Sequence, residues 1–366
     1  MISKQVKSGD IIELMLFKKR DHLVGLDIGS SLIKVAEIRE TAKGLELKKF
    51  GITRIDPGAI VDGVIEDVEG VANSIRTLFK THKIKEKNVA ISTGGYSVVI
   101  KTISLPTVSE KVLQDSIHFE AEQYIPYDIE DVNIDFQILG TSTFSPNQMN
   151  VLLVAVKKDL VASYMDLTRR AGLNPCIIDV DTFALQNIHG TVSDDTSEDV
   201  VMLVDAGHSK TSLNIVRGDI SLMMRENSFG TAQILNGIIR TTGCSPAEAE
   251  AMASGQKAMG AANEEASEIC SEGIEKWCSE IAGVVNTFQS KSNEGNVDQL
   301  VLCGGGTFVR GFAKALATGI QVDVSLFNPF SGLIVNHKLF PGKALNQMAS
   351  LAPIALGLAL RKVDDK

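Results

Sequence analysis

Two stretches half a chain apart follow one plan. "LDIGSSLIKVAEIR" (residues 26–39) and "VDAGHSKTSLNIVR" (residues 204–217) each run from apolar residues to an Asp. One residue later comes Gly, then small hydroxylated residues, then a second apolar run. Each reads as a strand, a glycine turn and a returning strand. Repetition at half the length of a 366-residue chain predicts a duplicated α/β unit, one copy in each of two domains.

The aspartates need a reason to stand at the tips of apolar strands. Successive backbone N–H groups in such a turn form a concave anion site, and Ser30, Ser31, Ser209 and Thr211 add hydroxyl donors. A carboxylate beside a phosphate is repulsive unless Mg²⁺ lies between them, usually through water. Two such turns facing each other across a cleft would hold a polyphosphate nucleotide and its metal, with Asp27 and Asp205 as the metal-side carboxylates. The competing reading of one copy alone is an ordinary hairpin whose Asp makes an Asx-turn; the repetition weighs against it. Downstream, "DQLVLCGGGTFVRGFAKAL" (residues 298–316) reads as strand, three glycines and helix. Gly304, Gly305 and Gly306 leave room for a flat group, such as a purine or ribose, against the backbone. The candidate ligand-binding residues are therefore Gly29, Ser30, Ser31, Lys34, Gly207, His208, Ser209, Lys210, Thr211 and Gly304 to Gly306. His208 reads equally as an anion contact and as a surface loop histidine.

Composition excludes several other classes. A net charge of −9 argues against a general nucleic-acid binder. Five cysteines without a CxxC pair fit reduced, buried thiols better than disulfides. Six histidines without HxxxH or HExxH give no zinc pattern, and neither GxSxG nor GxxxxGK[ST] occurs. The longest apolar run near the C-terminus, residues 351–360, contains Pro353 and is far short of the ~20 residues of a membrane span. "IIELMLFKKR" (residues 11–20) could touch a membrane surface but reads as a leader, with Met15 an alternative start.

Two acidic glycine turns followed by a glycine triplet resemble the actin-like ATPase superfamily. That resemblance implies a ribonuclease H-like α/β fold, duplicated, with ATP and Mg²⁺ as ligands. It also implies a polar residue on the connecting element that orients the attacking water. By position this is Asp181 in "PCIIDVDTFALQNI", which reads also as a helix N-cap. A closer resemblance rests on "LFKKRDHLVGLDIGSSLIKVAEI", "YIPYDIEDVNIDFQIL", "AGLNPCIIDVDTFAL" and "IALGLALR", which look like the PilM family of type IV pilus assembly proteins. It runs from about residue 15 to 361. It implies a cytoplasmic scaffold, peripheral to the inner membrane, that binds the N-terminal tail of PilN within a pilus assembly complex. The PilN–PilO platform and motor ATPases are further partners of such a complex, and self-association stays open.

The resulting map has a leader at 1–20. The first lobe takes 21–96, 175–198 and 345–366, with an α+β subdomain inserted at 97–174. The second lobe takes 199–240 and 290–344, with a helical subdomain at 241–289. "TVSDDTSED" (191–199) reads as a solvated linker and "GQKAMGAAN" (255–263) as a helix break. Trp277 continues the apolar stripe of its helix and reads as core. Lys276 and Glu280 are weak ribose-contact candidates whose simpler reading is an exposed charged face. The groove for a partner peptide is expected between the first lobe and the insert, near Pro126 and Tyr127. Binding is more legible than turnover. The alternatives are a sugar-type kinase, which needs a base aimed at a substrate hydroxyl, and an FtsA-like filament-forming ATPase.

Overall fold

The computed structural model describes residues 22–95, 98–141, 145, 147–193, 198–256, 264–291 and 295–363. The expected leader lies outside these, as do the centre of the acidic linker and most of the expected helix break.

Strands β1 (Val24–Ile28), β2 (Leu32–Thr41) and β3 (Gly44–Arg54) form an antiparallel meander. A hairpin of β4 (Ile60–Val61) and β5 (Val64–Ile65) leads to α1 (Val68–Thr81). Asp67 caps α1 by accepting from the Gly70 N–H, and Val71, Ile75, Leu78 and Phe79 bury one stripe of it. β6 (Asn88–Thr93) returns parallel to β1. Next come β7 (Val98–Pro106), α2 (Glu110–Ala121), β8 (Val132–Thr141), β9 (Gln148–Lys157) and α3 (Lys158–Arg170). The strands among these make a separate antiparallel sheet, ordered β7-β9-β8, with its own core around Leu113, Ile117 and Leu153. Val112 is 51% exposed, whereas Leu113 and Ile117 of the same helix join that core.

β10 (Asn174–Val180) then joins β6, and α4 (Asp181–His189) follows without a break. β11 (Val200–Ala206), β12 (Thr211–Arg217) and β13 (Ile220–Asn227) form a second meander. Three helices follow, α5 (Thr231–Thr242), α6 (Pro246–Ala253) and α7 (Glu264–Lys291). A capping box of Ser245 and Glu248 starts α6. β14 (Gln299–Cys303) lies parallel to β11, and α8 (Phe312–Ile320) leads to β15 (Asp323–Leu326). β16 (Ile334–Val335) pairs with β3, and α9 (Gly342–Met348) and α10 (Pro353–Ala359) close the described chain.

The two large sheets are congruent. One runs β3-β2-β1-β6-β10 and the other β13-β12-β11-β14-β15, with the same parallel and antiparallel neighbours at each step. β16 extends the first. β1 is buried along its whole length, the pattern of a central strand covered on both faces. α1 and α3 cover one face of the first sheet, and α5 to α8 cover one face of the second around Trp277 and Phe288. Between the sheets lie α4 and α10, in a core that takes Ala36 and Ala90 from one sheet and Leu203 and Val301 from the other. The two lobes thus share an interior, and both glycine turns open at the same edge of it.

Candidate functional site: a cleft between matching turns

The turns after β1 and β11 are built alike. The Gly29 N–H donates to the Leu32 carbonyl at 3.1 Å, and the Gly207 N–H donates to that of Lys210 at 2.9 Å. Those two N–H groups close their own turns, so they are not the anion donors expected of them. A Cβ on Gly29 would lie 2.9 Å from the Leu32 carbonyl oxygen, and one on Gly207 2.8 Å from that of Lys210, which is why both positions are glycine. The carbonyls of Gly207 and His208 accept from the first N–H groups of α5, at 3.1 and 2.8 Å, and fix the second turn in place.

The turns face each other. Ser30 Oγ and Ser209 Oγ are 3.0 Å apart across the lobes. Around them opens a cavity of about 770 Å³, within the range of small-molecule sites. Asp27, Gly29, Ser30, Ser31, Lys34, Asp181, Asp205, Gly207, His208, Ser209, Lys210, Gly304 and Gly305 line it. The cavity reaches Val98 and Pro126 of the insert on one side and Phe308 beyond the glycine triplet on the other.

Two residues expected at the ligand lie elsewhere. Thr211 is fully buried: its hydroxyl accepts from Trp277 Nε1 at 2.7 Å and donates to the Phe229 carbonyl at 2.6 Å. Gly306 is enclosed too, since a Cβ there would meet the Trp277 ring at 2.5 Å. Its lack of a side chain serves packing, whereas Gly305 faces open space. Gly304 has φ +87° and a Cβ there would lie 2.4 Å from Asp205 Oδ1, so close approach of the two strands demands it. Trp277 stacks on Phe312 with centroids 4.2 Å apart, as core. Lys276 sits over the Phe229 ring, and neither it nor Glu280 lines the cleft.

Charge is unevenly shared. Lys34, opposite Asp27 in the β1–β2 register, donates to Asp27 Oδ2 at 3.0 Å. The second copy has Ser212 at that place, opposite Asp205. Burial pushes Asp27 up from its ordinary value by more than Lys34 pulls it down. Burial opposes the charge on Lys34, yet Asp27 and Asp205 hold it above the usual lysine value. Among the described residues Asp205 accepts only a long contact from Cys303 Sγ, 3.8 Å, and burial pushes it up to about 6. Asp181 is the first helical residue of α4, with Val180 in the cap position, so its carboxylate does not cap the helix. It accepts from Ser92 Oγ at 2.6 Å and from Lys210 Nζ at 2.8 Å. Burial opposes its ionisation, and Lys210 with Ser92 hold it below the usual range. Lys210 Nζ also lies 3.1 Å from Glu226 Oε1.

Sequence reasoning missed Ser92, Gly94 and Glu226. Gly94 is the vacant position into which Lys210 reaches: a Cβ there would be 1.9 Å from its Nζ. A signal was present. The parallel pairings Leu26↔Ile91 and Val204↔Leu302 align "STGG" at the end of β6 with "CGGG" at the end of β14. The glycine pair is thus part of the repeat.

A family model described as type IV pilus assembly protein PilM matches residues 25–363. A solved structure titled PilM-PilN type IV pilus biogenesis complex superposes with a TM-score of 0.83 at 25% identity, over 94% of this chain and 99% of that one. The ethanolamine utilization protein EutJ from Carboxydothermus hydrogenoformans gives 0.55 at 12% identity, over 93% and 89%. A diol dehydratase-reactivating factor in nucleotide-free form gives 0.51 at 9%, over 93% and 99%. The architecture is the actin-like ATPase fold, duplicated lobes with an inserted α+β unit. Among the described residues no helix is long and apolar enough to cross a membrane.

Proposed function

The chain belongs to the type IV pilus assembly protein PilM family, and from that premise we propose that it is an ATP-binding scaffold of the pilus assembly machinery, gripping the N-terminal tail of PilN. It works on the cytoplasmic side of the inner membrane, held there through its partner. One observation carries the nucleotide half: two matching acidic turns, from separate lobes, meet across a single cavity with their serines 3.0 Å apart.

The residues fit a metal-bearing polyphosphate. Around the turns Asp27, Asp181, Asp205 and Glu226 outnumber Lys34 and Lys210 by two, and over the whole lining, with Asp62 and Glu250 set against Arg54, Lys101 and Arg225, one negative charge is left in excess. A bare polyphosphate would be repelled, and a divalent cation balances that excess. Asp205, which has no cationic partner in contact among the described residues, is the group most in need of it. No three His, Cys, Asp or Glu side chains among the described residues converge to ligate a metal directly, so Asp27 and Asp205 would hold Mg²⁺ through water. The metal would supply neutralising charge to the phosphates. The chain's own part is to seat the phosphates with Lys34, Ser30, Ser31 and Ser209 and the base against Gly304 and Gly305. The two-lobe division with an insert at 97–174 is part of the proposal, supported by the two congruent sheets and the separate third one.

Nucleotide draws the lobes together, and the cavity wall formed by Val98 and Pro126 transmits the change to the insert, where the peptide is expected. Calorimetric titration with Mg·ATP tests the first half. Asp27→Ala should weaken binding at least tenfold, about 1.4 kcal/mol. An unchanged affinity in the folded variant refutes the role given to Asp27. Titration with a synthetic PilN-tail peptide, with and without nucleotide, tests the second half.

A further inference from the structure

Holding a triphosphate and breaking it are separate tasks. Hydrolysis needs a carboxylate free to orient a water and take its proton. Asp181 enters the cleft at the start of α4, yet both of its oxygens are engaged, Oδ1 by Ser92 and Oδ2 by Lys210. Lys210 comes from the opposite lobe, on the turn before β12. It reaches Asp181 over the space left by Gly94, where any side chain would displace its Nζ. Glu226 on β13 holds the same ammonium from the other side at 3.1 Å. This lysine is not free to meet a phosphate, and its partner carboxylate is not free to meet a water.

We propose that Lys210 is a positioning residue that masks Asp181, so that the cleft retains ATP without turning it over. The inference rests on the nucleotide reading given above. In the suppressed step the water oxygen bonds to the terminal phosphorus. The bond from that phosphorus to the bridging oxygen breaks, and its electron pair leaves with the diphosphate. The water's proton passes to the Asp181 carboxylate and then to solvent. With its carboxylate neutralised by an ammonium and fixed by a hydroxyl, Asp181 is not available to take that proton. Removing Lys210 leaves Asp181 held by Ser92 alone and raises its basicity.

The test uses the full chain with Lys210→Gln, and Lys210→Thr in case the first variant folds poorly. Calorimetry first establishes that wild type and variant bind Mg·ATP. Single-turnover hydrolysis at saturating Mg·ATP should then be at least tenfold faster in the variant. Adding Asp181→Asn should return it to the wild-type rate or below. A readout without nucleotide accompanies these: Lys210→Gln should lower the unfolding temperature in the wild-type background and lower it less on top of Asp181→Asn. A variant that binds Mg·ATP but hydrolyses it no faster overturns the inference, as does an acceleration that survives Asp181→Asn. Absence of Mg·ATP binding to the wild type would instead remove the nucleotide reading itself, and this inference with it.

Discussion

Asp205 is the cleft carboxylate with least to stabilise it. Its described neighbour is a thiol, and burial lifts its titration from an ordinary 3.8 to about 6. The folded protein therefore keeps a proton on this group where the unfolded chain has lost it. Its contribution to stability is greatest below about 3.8 and falls as pH rises through about 6; above that the buried charge is a standing cost. Asp205→Asn should thus stabilise the nucleotide-free protein at pH 7–8 by on the order of 2 kcal/mol. It should also flatten the loss of stability between pH 4 and 6, read by thermal unfolding across pH, while weakening Mg·ATP binding. Asp205 and Asp27 were legible in the sequence because an Asp-x-Gly turn is a local pattern. The fates of Thr211 and Gly94 were not. Thr211 is claimed by Trp277 and Phe229, and Gly94 by a lysine on the other lobe; both depend on partners that only folding brings near.

At the level of elements, α10 is the tightest joint. Gly25 on β1 leaves room for the Ala355 carbonyl, 2.0 Å from where its Cβ would stand, and Gly357 on α10 leaves room for that of Ala184 at 1.7 Å. The helix thereby touches both β1 and α4 backbone to backbone. Gly357→Ala forces them apart and should cost several kcal/mol, as overpacking against main chain does. Loss of cooperative thermal unfolding, or a melting temperature lowered by ten degrees or more, is the expected outcome. The sequence map put residues 345–366, with "IALGLALR" among them, in the first lobe. The identity of the surface beneath it was not readable, since a glycine's role in close approach is written on the neighbour that approaches. By contrast, the helix after Ser245 opens on a capping box and the strand at 88–93 is a β-branched run, signals that lie within the segments themselves.

Over the whole molecule, the lobes are joined firmly on one side by the shared core of α4 and α10 and lightly on the other. At the cleft mouth Arg54 of β3 forms a two-pronged pair with Glu250 of α6, at 2.8 and 2.7 Å. The arginine side chain is 66% exposed, so the pair contributes at most about 1 kcal/mol to folding. Arg54→Ala should leave the melting temperature almost unchanged yet quicken the release of a fluorescent ATP analogue severalfold in stopped-flow measurements, because it unties the open edge without disturbing the hinge side. The congruence of the two sheets has a further result. A frame repeated about an approximate dyad would accept an elongated guest either way round. Here the space at Gly94 is occupied by a lysine while that at its counterpart Gly305 is open, and one aspartate faces a lysine and its twin a serine. These unequal halves would choose the guest's direction, giving the cleft a head end and a tail end.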